Sequence, residues 1–245
     1  RELPVEDSPA QLERLLPLAE EALSAFVQGS PPRFTRLWEH EKDQFKAALR
    51  RWLSREAAST DRALPAFFEV GFGLPPPLDS RDPHSREPLL IELGDGRTLR
   101  VNGKIDRIDK KDDGTLLLRD YKTGKAPRDD GGLFRGGKQL QIPFYILAAA
   151  QIFPKTPVTE AFLDYVDAPR RVSFEPALVT GEEFKKLLRE MVDVVASGIF
   201  VQEPSACDFC DFTVVCGPKG LLQRRQAMKV RDPSLQAYLR LRDIG

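Results

Sequence analysis

The stretch Gly103-Lys-Ile-Asp-Arg-Ile-Asp-Lys-Lys-Asp-Asp-Gly-Thr-Leu-Leu-Leu-Arg-Asp-Tyr-Lys-Thr-Gly124 decides the fold. Val101, Ile105, Leu116 to Leu118 and Tyr121 are β-formers arranged around Lys111-Asp-Asp-Gly114, a turn signal, so the segment predicts an antiparallel pair of strands. A three-residue loop at Asp112, Asp113 and Gly114, with Gly114 left-handed, sets a register in which Asp106 faces Asp120. Facing carboxylates repel unless something positive lies between them, and a divalent cation with oxygen ligands removes that penalty. Lys122, two residues past Asp120, projects from the same sheet face. Two carboxylates and a lysine converging on one metal and one water suit phosphodiester cleavage. A charged hairpin face in plain contact with solvent is the alternative reading.

Working outward, Lys138 to Ile152 reads as a helix, with Pro143 tolerable only near its first turn. Gln141 and Tyr145, four apart, share one face of it. Upstream, Ala66 to Phe72 alternates as a strand carrying Glu69. Leu89–Leu93 and Thr98–Asp109 read as strands of a meander ending in the hairpin, after a proline-rich loop from Gly73 to Pro88. The segment Thr123 to Gly137 is expected to pass over the site as a flexible gate. A further hairpin is expected at Ala161–Asp167 and Arg171–Phe174, then a helix capped at Thr180 and running to about Ser197. The N-terminal part reads as helices: a short one after Ser8-Pro9 interrupted by Pro17, and a longer one from about Phe34 to Ala58 with Leu37, Trp38, Phe45, Ala48, Leu49 and Trp52 as its buried side.

All three cysteines, Cys207, Cys210 and Cys216, fall within ten residues. An odd number in a chain without a secretory signal disfavours a disulfide framework. Thiolates so spaced suit zinc or an iron–sulfur cluster, either of which wants a fourth ligand; three buried core cysteines remain the plain alternative. His40, in a charged helical run, and His84, in the proline-rich loop, read as solvent-facing.

Taken together, Gly-x-x-Asp-Arg-Ile-Asp, Asp-Tyr-Lys-Thr-Gly and Gln-x-x-x-Tyr resemble the catalytic core of the PD-(D/E)XK nuclease superfamily, in its RecB-like branch, over roughly 67–216. Within that branch the chain is most similar to the nuclease domain of AddB-type subunits of helicase-nucleases, with CRISPR-associated RecB-like exonucleases as near relatives. The resemblance implies a restriction-endonuclease-like α/β core: a mixed central β-sheet flanked by helices. It implies Asp106 and Asp120 as Mg²⁺ or Mn²⁺ ligands, Lys122 as the catalytic lysine, Gln141 and Tyr145 as DNA-contacting and positioning residues, and Glu69 as the preceding acidic residue. Cys207, Cys210 and Cys216 are similar to the C-terminal part of an iron–sulfur staple, whose fourth cysteine lies far upstream in that family. A [4Fe–4S] cluster is therefore the expectation for the full-length protein, absent or incomplete in this fragment, with zinc as the alternative.

The chain begins at Arg1 and lacks the family's first cysteine and its Gly-x-x-x-His helix, so 1–62 is read as the truncated remainder of a longer helical region. The expected division continues with a nuclease core at 63–200 and a cysteine-bound segment with a basic helical tail at 201–245. At 245 residues and 41% hydrophobic the chain can bury a full core. With 37 basic and 37 acidic residues it lacks the basic excess of an autonomous nucleic-acid binder and suits a module fed DNA by a helicase partner. Arg50, Arg51 and Arg55, like Arg224, Arg225 and Lys229, read as solvated helix faces. No apolar run is long enough to span a membrane, and a cytoplasmic deoxyribonuclease is expected. A CRISPR-associated exonuclease and a catalytically idle DNA-binding scaffold are the alternatives.

Overall fold

Lys111 N–H donates to Thr115 O (2.9 Å) and Gly114 takes φ +85°, so the three-residue loop closes the hairpin as the turn signal predicts. The computed structural model describes all residues except 1–8, 62, 77–80, 124–133, 167, 169, 199, 203 and 245. The hairpin joins β4 (Gly103–Lys111) and β5 (Leu116–Lys122) with Arg107 opposite Arg119, Ile108 opposite Leu118 and Asp109 opposite Leu117. β1 (Ala63–Phe72) adds antiparallel to β4, β6 (Val158–Tyr165) parallel to β5, and β7 (Arg170–Phe174) antiparallel to β6. The result is a five-stranded mixed sheet in the order β1-β4-β5-β6-β7. β5 is its centre, and Leu116, Leu117 and Leu118 are all buried, as a strand covered on both faces requires.

The parallel β5–β6 pairing needs a crossover, which α3 (Gln141–Ile152) provides. Pro143 is its third residue, where no intrahelical N–H is lost. Ile142, Tyr145, Ile146 and Ala149 of α3 pack with Ile108 and Leu118 on one face of the sheet. α4 (Glu182–Ala196) extends that core through Phe184, Leu187 and Leu188; it opens at Gly181, not at Thr180, whose hydroxyl bonds back to Ala177 O.

The expected Thr98–Asp109 strand is two strands. β2 (Leu89–Glu92) and β3 (Thr98–Val101) form a separate hairpin, and the chain breaks at Asn102 before β4. Gly103 explains the break: a Cβ there would stand 2.6 Å from Phe72 Cζ, so the backbone passes against the ring.

The N-terminal helices differ from expectation in two ways. α1 (Pro9–Gly29) continues through Pro17, since one missing N–H does not stop propagation here. In α2 (Thr35–Ala57) Leu37 and Phe45 are exposed, and burial is confined to Ala48, Leu53 and Glu56, because only the C-terminal half of the helix reaches the sheet. Arg55 is no solvated side chain: it donates to the carbonyls of Tyr165 (2.9 Å), Val166 (3.1 Å) and Ala168 (2.5 Å), tying α2 to the end of β6. His84 is likewise engaged, its Nδ1 accepting from Gly71 N–H (2.9 Å) and its Nε2 buried with no hydrogen-bond partner among the described residues.

Beyond α4, the short α5 (Thr213–Cys216), then α6 (Lys219–Met228) and α7 (Gln236–Arg242), follow the cysteine segment. α7 returns to the core: Arg240 bonds Glu190 of α4, Gly136 N–H donates to Ile244 O, and Ile244 is buried. Among the described residues no helix is long and apolar enough to cross a membrane.

Candidate active site

Carried one step past the Arg107–Arg119 pair, the β4–β5 register sets Asp106 against Asp120. The ladder ends there because the Asp106 side chain takes over: its Oδ2 accepts from Tyr121 N–H (3.1 Å). Asp106 is half-buried, and burial first, the Asp120 charge second, hold its carboxyl above the ordinary range. Asp120 is 1% exposed. Its Oδ1 accepts from Gln141 Nε2 (2.6 Å), while its buried Oδ2 has no hydrogen-bond partner among the described residues. Lys122 Nζ does stand 2.6 Å from that Oδ2, as a charge contact without hydrogen-bond alignment.

Lys122 and Asp120 share a sheet face by the two-residue period of the strand, and Gln141 closes the group from the start of α3. Its Oε1 accepts from Lys122 Nζ (2.5 Å), and its Nε2 also donates to Tyr145 Oη (2.8 Å), one helical turn on. Burial pushes the Tyr145 phenol up to about 12, so it stays protonated near neutrality. Five of the six sequence-predicted catalytic positions thus come together: Asp106, Asp120, Lys122, Gln141 and Tyr145.

Glu69 stands apart. It is exposed, paired with Lys104, and adopts φ +53°, a left-handed conformation rare for a non-glycine residue. Its charge adds to the repulsion on Asp106, but its carboxylate is engaged by the lysine. Among the described residues no group of three or more His, Cys, Asp or Glu side chains is arranged to hold a metal ion. The cysteines fit no cluster as placed: Cys210 is exposed, Cys207 and Cys216 are partly buried, and three thiolates are one short of a closed site. The carboxylate pair does fit a hard cation, because Mg²⁺ is held by one or two carboxylates with water and phosphate completing its shell, and among the described residues no donor bonds the buried Asp120 Oδ2. The expected gate at Thr123–Gly137 falls largely on 124–133, outside the described residues.

On this geometry, comparison with known proteins is decisive at the level of family: the PD-(D/E)XK nuclease superfamily model matches residues 2–217. The chain belongs to that superfamily. Its α/β core is the restriction-endonuclease-like one that the motifs imply. It is similar to the B-type component of an ATP-dependent helicase/deoxyribonuclease of Acetivibrio thermocellus, 34% identical over 98 residues, covering 39% of this chain and 8% of that protein. The corresponding helicase/deoxyribonuclease component of Clostridium kluyveri is 29% identical over 126 residues, covering 49% and 10%. The Gene 69 protein of Mycobacterium phage L5 is 32% identical over 142 residues, covering 53% and 42%. The chain therefore spans a small part of the helicase/deoxyribonuclease proteins and less than half of the phage protein. A crystal structure of SSO0001 aligns over 85% of this chain and 81% of its own, at 16% identity and a TM-score of 0.35.

Sequence reasoning passed over the residues behind the pair. Glu56, Arg107, Asp109 and Arg119 are buried on the opposite sheet face, where the Tyr121 side chain also lies while its backbone amide donates to Asp106. The signal available was the alternation Arg107-x-Asp109 and Arg119-x-Tyr121, which places these side chains together and away from Asp106 and Asp120.

Proposed function

We propose that the chain is the nuclease module of a helicase-nuclease, hydrolysing DNA phosphodiester bonds with Mg²⁺ or Mn²⁺ held between Asp106 and Asp120. The observation that carries this is Asp120, opposite Asp106 in the strand register, whose buried Oδ2 has no hydrogen-bond partner among the described residues and stands 2.6 Å from the Lys122 ammonium. Asp106 and Asp120 would hold the cation, which would offset their mutual repulsion and supply Lewis acidity for the water and the phosphoryl group. Lys122 orients the attacking water or stabilises the same phosphoryl charge through its ammonium. Gln141 holds Asp120 and Lys122 at fixed separation, and Tyr145 offers a neutral hydroxyl to a phosphate.

The relatives named as parts of an ATP-dependent helicase/deoxyribonuclease support DNA as substrate and a helicase as partner, and the zero net charge suits a module that is handed its DNA. Resection of double-strand breaks in the cytoplasm is the process in which such a module works. Cys207, Cys210 and Cys216 complete a [4Fe–4S] site only with a fourth thiolate from elsewhere in a longer protein. The test is cleavage of linear single- and double-stranded DNA with Mg²⁺, Mn²⁺ or chelator, comparing the wild type with Asp120→Ala. Metal-dependent cleavage lost in the variant is expected; a near-native rate for Asp120→Ala in Mg²⁺ refutes the assignment.

A further inference from the structure

Directly behind the carboxylate pair lies a closed ring of alternating charge. Arg107 and Arg119 face each other across the hairpin, a like-charge pair unfavourable by itself. Two carboxylates bridge them. Asp109 accepts from Arg107 Nε (2.5 Å), Arg107 Nη2 (3.0 Å) and Arg119 Nε (2.7 Å). Glu56, arriving from α2, accepts from Arg107 Nη1 (2.7 Å) and Arg119 Nη1 (2.6 Å). All four side chains are buried. Arg119 reaches on to Asp61, which Arg171 of β7 also holds.

Such a ring is a poor source of net stability, because desolvation of each charge offsets most of the attraction, and well-packed apolar residues do as well. What it does supply is geometry: planar guanidiniums with two-point contacts allow one arrangement of β4 against β5. Tyr121 carries that arrangement through the sheet. Its hydroxyl accepts from Arg107 Nη1 (2.7 Å) on the ring side, and its amide N–H donates to Asp106 Oδ2 (3.1 Å) on the site side.

We infer that the Glu56–Arg107–Asp109–Arg119 ring, acting through Tyr121, sets the position of Asp106 against Asp120 and so tunes the affinity of the pair for a divalent cation. These are positioning residues. The inference rests on the proposed metal site, and the experiment separates the two. Mn²⁺ binding to the whole chain, without DNA, is followed by the loss of the free-ion electron paramagnetic resonance signal, alongside thermal melting. Asp120→Ala serves as the site control and Leu187→Ala, in the core of α4 away from the ring, as the control for lost stability.

Tyr121→Phe removes one oxygen and leaves Arg107 on both carboxylates. It is expected to weaken Mn²⁺ binding about tenfold, the size typical of outer-shell partners, while melting within a few degrees of wild type. Glu56→Gln, which loosens both arginines, is expected to weaken binding at least as much. Wild-type Mn²⁺ affinity in Tyr121→Phe overturns the inference, whether or not Glu56→Gln folds. Equal weakening in Leu187→Ala also overturns it, since the ring would then act through stability alone. A wild type that binds no Mn²⁺, or an Asp120→Ala that binds it equally well, refutes the metal site itself.

Discussion

Replacing Asp106 by Asn should make the metal-free protein more stable, because the change removes a charge while keeping an oxygen for the Tyr121 amide. Facing residues in this register have Cβ atoms about 5 Å apart. At that distance two unit charges repel by roughly 3 kcal/mol at an effective dielectric constant of ~20. Asp106 is only half-buried and Lys122 already offsets part of the Asp120 charge, so about 1 kcal/mol is a reasonable net gain. For a chain of this size that is a rise of ~2–4 °C in melting temperature. The pH dependence has a definite sign. A carboxyl whose folded pKa is raised binds its proton more tightly in the folded than in the unfolded state, so its destabilisation is absent below the ordinary pKa of ~3.9 and grows as pH rises through the raised folded value. Calorimetry in chelator should therefore show the Asn advantage at pH 7.5 and its loss toward pH 4. Adding Mg²⁺ should raise the wild-type melting temperature and move the variant far less. A variant less stable than wild type in chelator at pH 7.5 would refute the reasoning, making Asp106 a structural acceptor and not a strained ligand.

Lys122→Ala should lose most of the turnover with less than about a threefold change in Mg²⁺ half-saturation, measured by initial rates across metal concentration, because its ammonium acts on water and phosphate. Gln141→Ala with Tyr145→Phe should raise the DNA concentration needed for half-maximal cleavage by a larger factor than it weakens Mn²⁺ binding, which falls in part because Gln141 also holds Asp120 Oδ1; equal behaviour to wild type at every DNA concentration would reduce the start of α3 to packing. Gly103→Ala places a methyl 2.6 Å from Phe72 Cζ, and Phe72 meets Tyr145 edge-on at 6.3 Å, so chemical denaturation should show a loss of about 1–3 kcal/mol.

The hairpin was legible because its information is local: Gly114 fixes the turn, the turn fixes the register, and the two-residue period then assigns Asp106, Asp120 and Lys122 to one face. That Gln141 and Tyr145 share a helix face followed from their spacing, and their place beside the carboxylates from the resemblance to the family motif. What the chain conceals is which charged residues are covered. Arg107, Asp109 and Arg119 alternate as a solvated strand face would, and only the arrival of Glu56 from a helix some fifty residues earlier turns that face into a buried ring. The converse holds for α2, where periodicity correctly marks an apolar stripe at Leu37 and Phe45 but cannot say how far along the helix a covering surface extends. The break at Asn102 was hidden for a similar reason, since the ring that Gly103 accommodates comes from another strand.

The parallel pairing of β5 with β6 has a consequence for how such a site can diversify. A crossover must leave the end of β5 and return, so Lys122 and Gln141 are brought together by the sheet and by their own bond, not by the chain between them. Extending that chain costs only the logarithm of its length, roughly 0.6 kcal/mol per doubling. The carboxylate–lysine group and the connection between β5 and α3 can therefore change independently: a relative can lengthen, shorten or rewrite that connection while Asp106, Asp120 and Lys122 stay where the strands put them.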